Sequence, residues 1–269
     1  MSDRLRIRIL GCGSSGGVPR IGNDWGACDP LNPRNRRLRC SLLVERVSAQ
    51  GVTRVLIDTG PDLREQMLTA DVPALDAVLY THSHADHLHG IDDLRQFAML
   101  QRQRMPVYMD DRTYRGSLRA FSYCFETPAG SSYPPILDRH RLEAGETTII
   151  DGRGGPIDFL PIEVEHGEIP ALGFRIRDIA YLPDVSGIPA AAAPAFADLQ
   201  LWILDCLRPT PHPSHFHLEQ ALGWIERMSP REAVLTNLHN SLDHDDLDAM
   251  TPAHVRPAHD MMLLEFPID

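Results

Sequence analysis

The chain has 269 residues, of which 43% are hydrophobic, so it can bury a substantial core, and we predict one domain over residues 1–269. Its formal net charge of −11 argues against a general nucleic-acid binder, because that class gains affinity from a basic surface that neutralises phosphates. No apolar run reaches the roughly 18 residues that a membrane-spanning helix needs. We therefore expect neither a membrane partner nor a stable nucleic-acid partner.

The five cysteines are odd in number, widely spaced and free of any C-x-x-C pair. Such a set predicts reduced thiols and not a disulfide framework. Residues 1–6 include no apolar segment of the kind found in secretory signals. We therefore expect a soluble, cytoplasmic protein.

Short apolar runs bounded by turns predict a series of strands along the chain. In chain order they are residues 5–10, 41–47, 52–58, 77–80, 106–109, 147–150, 157–164, 173–176, 180–182, 201–205 and 232–235. Helical periodicity is found at residues 60–70, 92–103, 112–121 and 218–228. Because strands outnumber helices and the two alternate in mixed order, we predict an α/β fold with layers of sheet covered by helices.

The segment 81–90 concentrates metal-binding side chains directly after the apolar run 77–80. Its imidazoles and carboxylate are His82, His84, Asp86 and His87. These ligand types suit zinc or manganese, and their number exceeds what one structural ion needs. In an extended stretch the first two histidines point to the same side, whereas the other two residues turn away as a helix begins. The pattern predicts two divalent ions, Zn²⁺ or Mn²⁺, a few ångströms apart, as in two-metal hydrolytic sites.

A histidine-rich loop that only faces water is the alternative. Such tracts seldom include an aspartate and seldom follow a buried strand so closely, which favours metal binding. His89, at the start of the predicted helix, is expected at the surface or behind the ligands and not among them.

The His-x-His-x-Asp-His motif at 82–87 resembles the signature of the metallo-β-lactamase superfamily. The glycine-rich opening Leu-Gly-Cys-Gly-Ser-Ser-Gly-Gly-Val-Pro at 10–19 resembles the phosphodiesterase branch of that superfamily, with PhnP-like phosphoribosyl cyclic phosphodiesterases nearest and tRNase Z more distant. The resemblance extends over about residues 7–240. It implies a four-layer αββα sandwich, in which two packed mixed sheets are flanked by helices and the metals lie at one edge.

The resemblance also implies three further ligands, each after a strand: His166, Asp184 in a Tyr-x-x-Asp context, and His239 in a Leu-Thr-x-x-His context. Alone, each is more often a satisfied polar residue than a ligand, but their joint occurrence in the expected order favours the complete set. Asp184 would bridge the ions and orient the attacking water. The first ion would take His82, His84 and His166, and the second Asp86, His87 and His239.

A second histidine cluster precedes the predicted helix 218–228. In phosphodiesterases that the chain resembles, a histidine at the start of this helix lies near the metals without binding them, and His215 matches that position best. Such an imidazole could protonate a leaving alkoxide or bind a phosphoryl oxygen. His217 is the rival for this role in catalysis and substrate binding, and helix capping by either residue is the alternative.

An arginine cluster lies just before the strand 41–47, against the acidic balance of the chain. Its members are Arg34, Arg36, Arg37 and Arg39. Because guanidinium groups bind phosphate bidentately, we predict that Arg37 contacts a phosphate-bearing substrate. The alternative is a loop whose charges only face water.

The resemblance implies a dinuclear metal-dependent hydrolase that cleaves a phosphodiester, either a cyclic ribose phosphate or a nucleotide-like diester, by attack of metal-activated hydroxide. A tRNase Z-like nuclease is one alternative, although the chain has no long basic insertion to hold tRNA. A non-hydrolytic cofactor-biosynthesis protein of the same fold is another, although such proteins often lack part of the ligand set. A homodimer is left open.

Overall fold

The computed structural model describes residues 3–268, and within them fourteen strands form two seven-stranded sheets. The strands are β1 (Arg4–Gly11), β2 (Ser41–Ser48), β3 (Gly51–Ile57), β4 (Ala77–Leu79), β5 (Met105–Met109), β6 (Leu137–Arg141), β7 (Thr148–Ile150), β8 (Ile157–His166), β9 (Ile169–Ile176), β10 (Ile179–Leu182), β11 (Leu201–Asp205), β12 (Glu232–Thr236), β13 (Val255–Pro257) and β14 (Met262–Pro267). One sheet has the order β14-β1-β2-β3-β4-β5-β6, and the other β13-β12-β11-β10-β9-β8-β7.

Six α-helices accompany the sheets over the described part of the chain. They are α1 (Leu63–Thr69), α2 (Ala85–Leu88), α3 (Leu94–Gln101), α4 (Asp111–Phe125), α5 (Leu218–Met228) and α6 (His244–Met250). Short 3-10 helices are found at Pro33–Asn35, Ile91–Asp93 and Ala193–Phe196. No helix in residues 3–268 is both long and apolar enough to cross a lipid bilayer.

The main core lies between the two sheets, where Ile7 and Val55 of the first sheet share one buried cluster with Phe174 and Ile203 of the second. The opposite face of the first sheet packs against α1, α3 and α4, and that of the second against α5 and α6. Burying both faces of each sheet explains the near-continuous apolar runs in strands such as β11. The predicted α/β fold and its αββα layering are confirmed.

The sequence missed strands whose residues are polar or lie at a sheet edge. β6 reads Leu-Asp-Arg-His-Arg and is an edge strand with one buried residue, and β14 is an edge strand that pairs with β1. The predicted helix 92–103 is shorter in the structure, because a 3-10 turn at Ile91–Asp93 precedes α3 and a left-handed Arg102 ends it.

The sheet topology brings several strand ends to one edge of the sandwich. β10, β11 and β12 run parallel in one sheet, and β3, β4 and β5 run parallel in the other. Because the carboxyl ends of parallel strands meet at the same edge, the residues that follow these strands lie close together. The predicted site residues come from this edge.

Candidate metal centre

The histidine-rich segment forms a turn between β4 and α2, as predicted. Its backbone is tied to the loop after β3, since the amide of Thr59 donates to the carbonyl of His87 and the amide of Gly90 to that of Thr59. Gly60 has to be a glycine here, because a Cβ atom would collide with the carbonyl of Asp86. The turn is therefore held in one shape before any ligand binds.

Four side chains bring their donor atoms within 4.8 Å of one another: His82, His84, His166 at the end of β8, and Asp184 after β10. His84 Nδ1 lies 3.2 Å from His166 Nε2, and Asp184 Oδ2 lies 3.4 Å from His166 Nε2 and 3.6 Å from His82 Nε2. Three imidazoles and one carboxylate suit a tetrahedral divalent ion such as zinc. His84 is exposed, whereas the other three are buried, so the group opens to solvent on the His84 side.

A second group adjoins the first through Asp184. His87 Nε2 lies 3.3 Å from Asp184 Oδ1 and 3.5 Å from Asp86 Oδ2. Asp184 thus presents one oxygen to each group, which is the arrangement that a bridging carboxylate requires.

The hydrogen bonds behind the histidines leave one nitrogen of each ring free to bind a metal. The Thr81 hydroxyl donates to Asp58, so it accepts from His82 Nδ1 at 2.9 Å, while His87 Nδ1 donates to Asp58 Oδ2 at 2.7 Å and His166 Nδ1 donates to the Ser214 carbonyl at 2.7 Å. In each ring the Nε2 lone pair then faces the centre.

Two of these nitrogens supply a direct test of whether a metal fits. The Nε2 atoms of His82 and His87 are buried, and neither has a hydrogen-bond partner among residues 3–268. A buried polar atom without a partner is costly, and a divalent cation at each of the two groups would satisfy these atoms. The donor set therefore fits a divalent metal.

The electrostatics of the centre also favour a cation. Burial acts to raise the pKa of Asp184, but the neighbouring His87, together with His215 and His82, holds that pKa well below its usual range. Burial acts to lower the pKa of His87, but Asp184, Asp86 and Asp58 hold it well above the ordinary value. A metal ion would take the place of the proton that these carboxylates hold on His87, so its binding releases a proton.

Asp58 is a supporting residue that the sequence analysis missed. It follows β3 with a left-handed φ of 66°, is fully buried, and accepts hydrogen bonds from the amide and hydroxyl of Thr81 as well as from His87. The sequence did contain a sign of this role, namely a carboxylate placed directly after a buried parallel strand. It was overlooked because Asp58 was counted as the last residue of the predicted strand 52–58.

His215 lies beside the donor group without belonging to it. Its ring centroid is 4.8 Å from that of His166, and its Nδ1 lies 2.9 Å from Oδ2 of Asp205, the fully buried last residue of β11. Burial acts to lower the pKa of His215, but the Asp205 carboxylate outweighs it and raises the pKa to about 9. Asp205 thus favours the protonated form of His215, and it is a second supporting residue that the sequence analysis missed.

His217 has a different environment. Its Nδ1 lies 2.6 Å from Oε1 of Gln220, and the two residues form the capping box at the start of α5. This capping satisfies backbone groups at the helix terminus. The prediction that His217 binds substrate is not supported, and the capping alternative describes it.

The structure does not bring His239 to the donor group. Its Nδ1 pairs with the Ser241 hydroxyl at 2.9 Å, and its amide donates to the Leu207 carbonyl. Burial lowers the pKa of His239, and the nearby cations Arg20 and Arg208 lower it further. His239 is therefore not among the donors that the structure brings together, and its role as the last ligand stays a prediction.

Asn237, two positions earlier, reaches the centre instead. It follows β12 with a left-handed φ of 61° and is buried. Its Nδ2 lies 3.3 Å from Asp184 Oδ1, 3.1 Å from Asp205 Oδ1 and 3.1 Å from His215 Nδ1. The left-handed backbone at Asn237 lets its side-chain amide enter the site. The next residue, Leu238, packs in the core, and its backbone N–H donates to the Cys12 carbonyl.

Arg37 is also wrongly assigned as a substrate contact. Its side chain is only 1% exposed, and its guanidinium donates to the carbonyls of His239 and Leu242 and to Oδ1 of Asn35. A guanidinium enclosed by these acceptors cannot reach a phosphate in the site, so Arg37 fastens the loop that follows β12. The rest of the cluster is dispersed, since Arg39 pairs with Asp62 at 2.8 Å.

This combination of fold and donor set defines a metallo-β-lactamase-type centre. Residues 53–237 match the family model described as the beta-lactamase superfamily domain, so the chain belongs to that superfamily. The family resemblance of the His-x-His-x-Asp-His motif is thus confirmed.

Two curated relatives are similar to this chain over different lengths. The chain is 31% identical over 260 residues to an octanoyltransferase of Porphyromonas gingivalis, an alignment that covers 95% of this chain and 50% of that protein. It is 30% identical over 126 residues to a ribonuclease Z of Thermococcus kodakarensis, covering 46% of this chain and 37% of the relative. The chain therefore spans half or less of the length of these curated relatives.

Among solved structures, the chain is similar to a new diphosphatase from the PhnP family. The TM-score is 0.87 at 35% sequence identity, and the superposition covers 98% of this chain and 97% of the other. The superposition extends over nearly the whole of both chains, so the two proteins share one fold.

Proposed function

We propose that this protein is a hydrolase that uses two divalent ions, zinc or manganese, to cleave a small phosphodiester. The observation that carries the proposal is the placement of His215, held by Asp205 at 2.9 Å, directly beside the donor group of His82, His84, His166 and Asp184. Phosphodiester hydrolysis needs stabilisation of negative charge at phosphorus and a proton for the leaving oxygen. The two features supply these needs side by side.

The protein residues divide the work between them. A divalent ion held by the donor group supplies Lewis-acid stabilisation of phosphoryl oxygens and activates water for attack. Asp184, with one oxygen turned to each group, would orient the attacking water. His215 would protonate the leaving sugar oxygen, and Asp205 would keep its ring in place and charged.

The charges around the site favour a small anionic substrate. Arg208 and His215 both lower the pKa of His212, whose ring centroid is 5.2 Å from that of His215, so these cationic groups lie close together beside the donor group. This cationic rim would attract a phosphate ester, whereas the net charge of −11 disfavours a long polynucleotide.

Hydrolysis of a diphosphate bond is the second candidate, because the solved structure with 35% identity over nearly the whole chain is named a diphosphatase. Both reactions displace an oxygen from phosphorus and would use the same donor group. They differ in the leaving group, since a phosphate leaves without the proton that a sugar alkoxide needs. The His215→Ala variant should therefore lose less activity on a diphosphate than on a cyclic diester.

Metal-replete protein should be assayed with bis(p-nitrophenyl) phosphate, the matching monoester, a nucleoside 2′,3′-cyclic phosphate, a nucleotide diphosphate sugar and a β-lactam. We expect chelator-sensitive hydrolysis of the diesters, with the monoester and the β-lactam nearly untouched. His84→Ala should abolish turnover, and His89→Ala, an exposed histidine close by, serves as the matched control. Comparable monoester turnover, or turnover that survives chelation, would refute the proposal.

A further inference from the structure

The two oxygens of Asp184 have unequal surroundings. Oδ2 lies 3.6 Å from His82 Nε2 and 3.4 Å from His166 Nε2, on the side that also holds His84. Oδ1 lies 3.3 Å from His87 Nε2 and 3.3 Å from Asn237 Nδ2. One side of the bridging carboxylate therefore has three imidazoles, and the other has a single imidazole and an amide.

The hydrogen bonds of Asn237 determine which end of its amide faces the centre. Nδ2 lies within hydrogen-bond distance of carboxylate oxygens of Asp184 and Asp205. A carboxylate only accepts hydrogen bonds, so the amide NH₂ has to point at both, and the reverse orientation would set oxygen against oxygen. An amide NH₂ has no free lone pair to offer a cation. Asn237 therefore contacts the bridging carboxylate without acting as a ligand.

From this contrast we propose that the metal centre is asymmetric. The group of His82, His84, His166 and Asp184 binds one divalent ion tightly. The position at Asp86, His87 and Asp184 Oδ1 binds a second ion weakly, because it has a single imidazole and the neighbouring Asn237 amide adds no donor. This second ion is exchangeable, and its open coordination positions are left to water or to oxygens of an anionic substrate. The proposal rests on the metal site of the proposed function and is independent of the substrate.

The protein as purified should be stripped with a chelator and titrated with Zn²⁺ by calorimetry and by competition with a chromophoric chelator. We expect one tight equivalent and a second that binds about 10–100-fold more weakly. Asn237→His adds an imidazole at the deficient position, so the second affinity should approach the first. His239→Ala is the matched control, because that imidazole pairs with Ser241, and both affinities should stay unchanged.

Thermal melting shows whether Asn237→His is folded. If it is not, Asn237→Ala provides a second test of the asymmetry. Because the amide is not a ligand, the alanine variant should retain both equivalents, with the second weakened by no more than the roughly 10–100-fold that loss of a hydrogen bond to a ligand costs. Three results would overturn the asymmetry. They are two equal affinities in the unaltered protein, loss of the weakly bound ion in Asn237→Ala, and loss of either ion in His239→Ala. If the two sites bind equally and the protein hydrolyses diesters, only the asymmetry is overturned and the proposed function stands. If the protein binds no ion, the proposed function is overturned as well.

Discussion

Asp58 Oδ2 lies 2.7 Å from Nδ1 of His87, and both side chains are completely buried. Asp58 follows a strand of the first sheet and His87 lies in the short helix that follows the neighbouring parallel strand, so the pair joins two adjacent strand ends. The contact fixes the ring of His87 with Nε2 toward Asp86 and Asp184. A residue that contacts no substrate thereby determines the geometry of one half of the centre.

Asp58→Asn should weaken metal binding at the His87 position. The neutral amide has only one acceptor oxygen, which cannot replace both carboxylate oxygens that accept from Thr81 and His87. The His87 ring therefore loses part of its orientation and basicity, and affinity should fall about 10–100-fold. Competition titration with a chelator measures the change. Asp62→Asn is the control, because Asp62 pairs with Arg39 away from the histidines and should leave metal affinity unaltered. Equal affinities for both variants would contradict the supporting role of Asp58.

His215→Ala should retain metal but cut turnover of a cyclic ribose phosphate by about 10²–10⁴-fold. The loss should be much smaller with bis(p-nitrophenyl) phosphate, since nitrophenolate departs without a proton. Steady-state rates on both substrates, together with metal analysis, test this difference.

His217→Ala is the matched control for that experiment. It removes the cap of α5, so it should lower stability by about 1 kcal/mol and leave the ratio of the two rates unchanged. If the leaving-group dependence appeared in His217→Ala and not in His215→Ala, the general acid would be assigned to the wrong histidine.

The parts of the site that the sequence predicted are those encoded locally or at strand ends. The His-x-His-x-Asp-His spacing is contained in one turn, and Asp184 was implied by the family resemblance through its Tyr-x-x-Asp context. Asp58 and Asp205 were missed because their roles depend on which strands become parallel neighbours. That adjacency is not visible in either strand's own sequence.

Two departures from the sequence prediction have an equally physical origin. The choice between Asn237 and His239 depends on a left-handed φ at Asn237, which sends the amide and not the imidazole into the site. A spacing motif contains no information about that dihedral angle. Arg37 was expected at the surface with its charged neighbours, but it bonds to carbonyls of a loop distant in sequence, and only the tertiary fold creates that site.

The rate on a substrate with a poor leaving group should fall as the pH rises through about 9. His215 has to be protonated to act as an acid, and its pKa is raised to about 9 by Asp205 against the effect of burial. In Asp205→Asn the carboxylate is lost while burial remains, so the alkaline limb should move to lower pH by at least about one unit. Profiles of log kcat against pH measure the shift. Coincident profiles for the two proteins would show that Asp205 does not control this group.

Arg37→Ala should lower the free energy of unfolding by about 3 kcal/mol, because it leaves the buried carbonyls of His239 and Leu242 without their charged donor. Urea unfolding at constant m-value measures the loss. Arg36→Ala is the control: Arg36 is exposed beside the Trp25 ring, so its removal should cost less than about 0.5 kcal/mol. Under conditions where Arg37→Ala remains folded, its KM should change little. If Arg37→Ala had a much higher KM but unchanged stability, Arg37 would be a substrate contact. That result would contradict the structural role argued from its buried contacts.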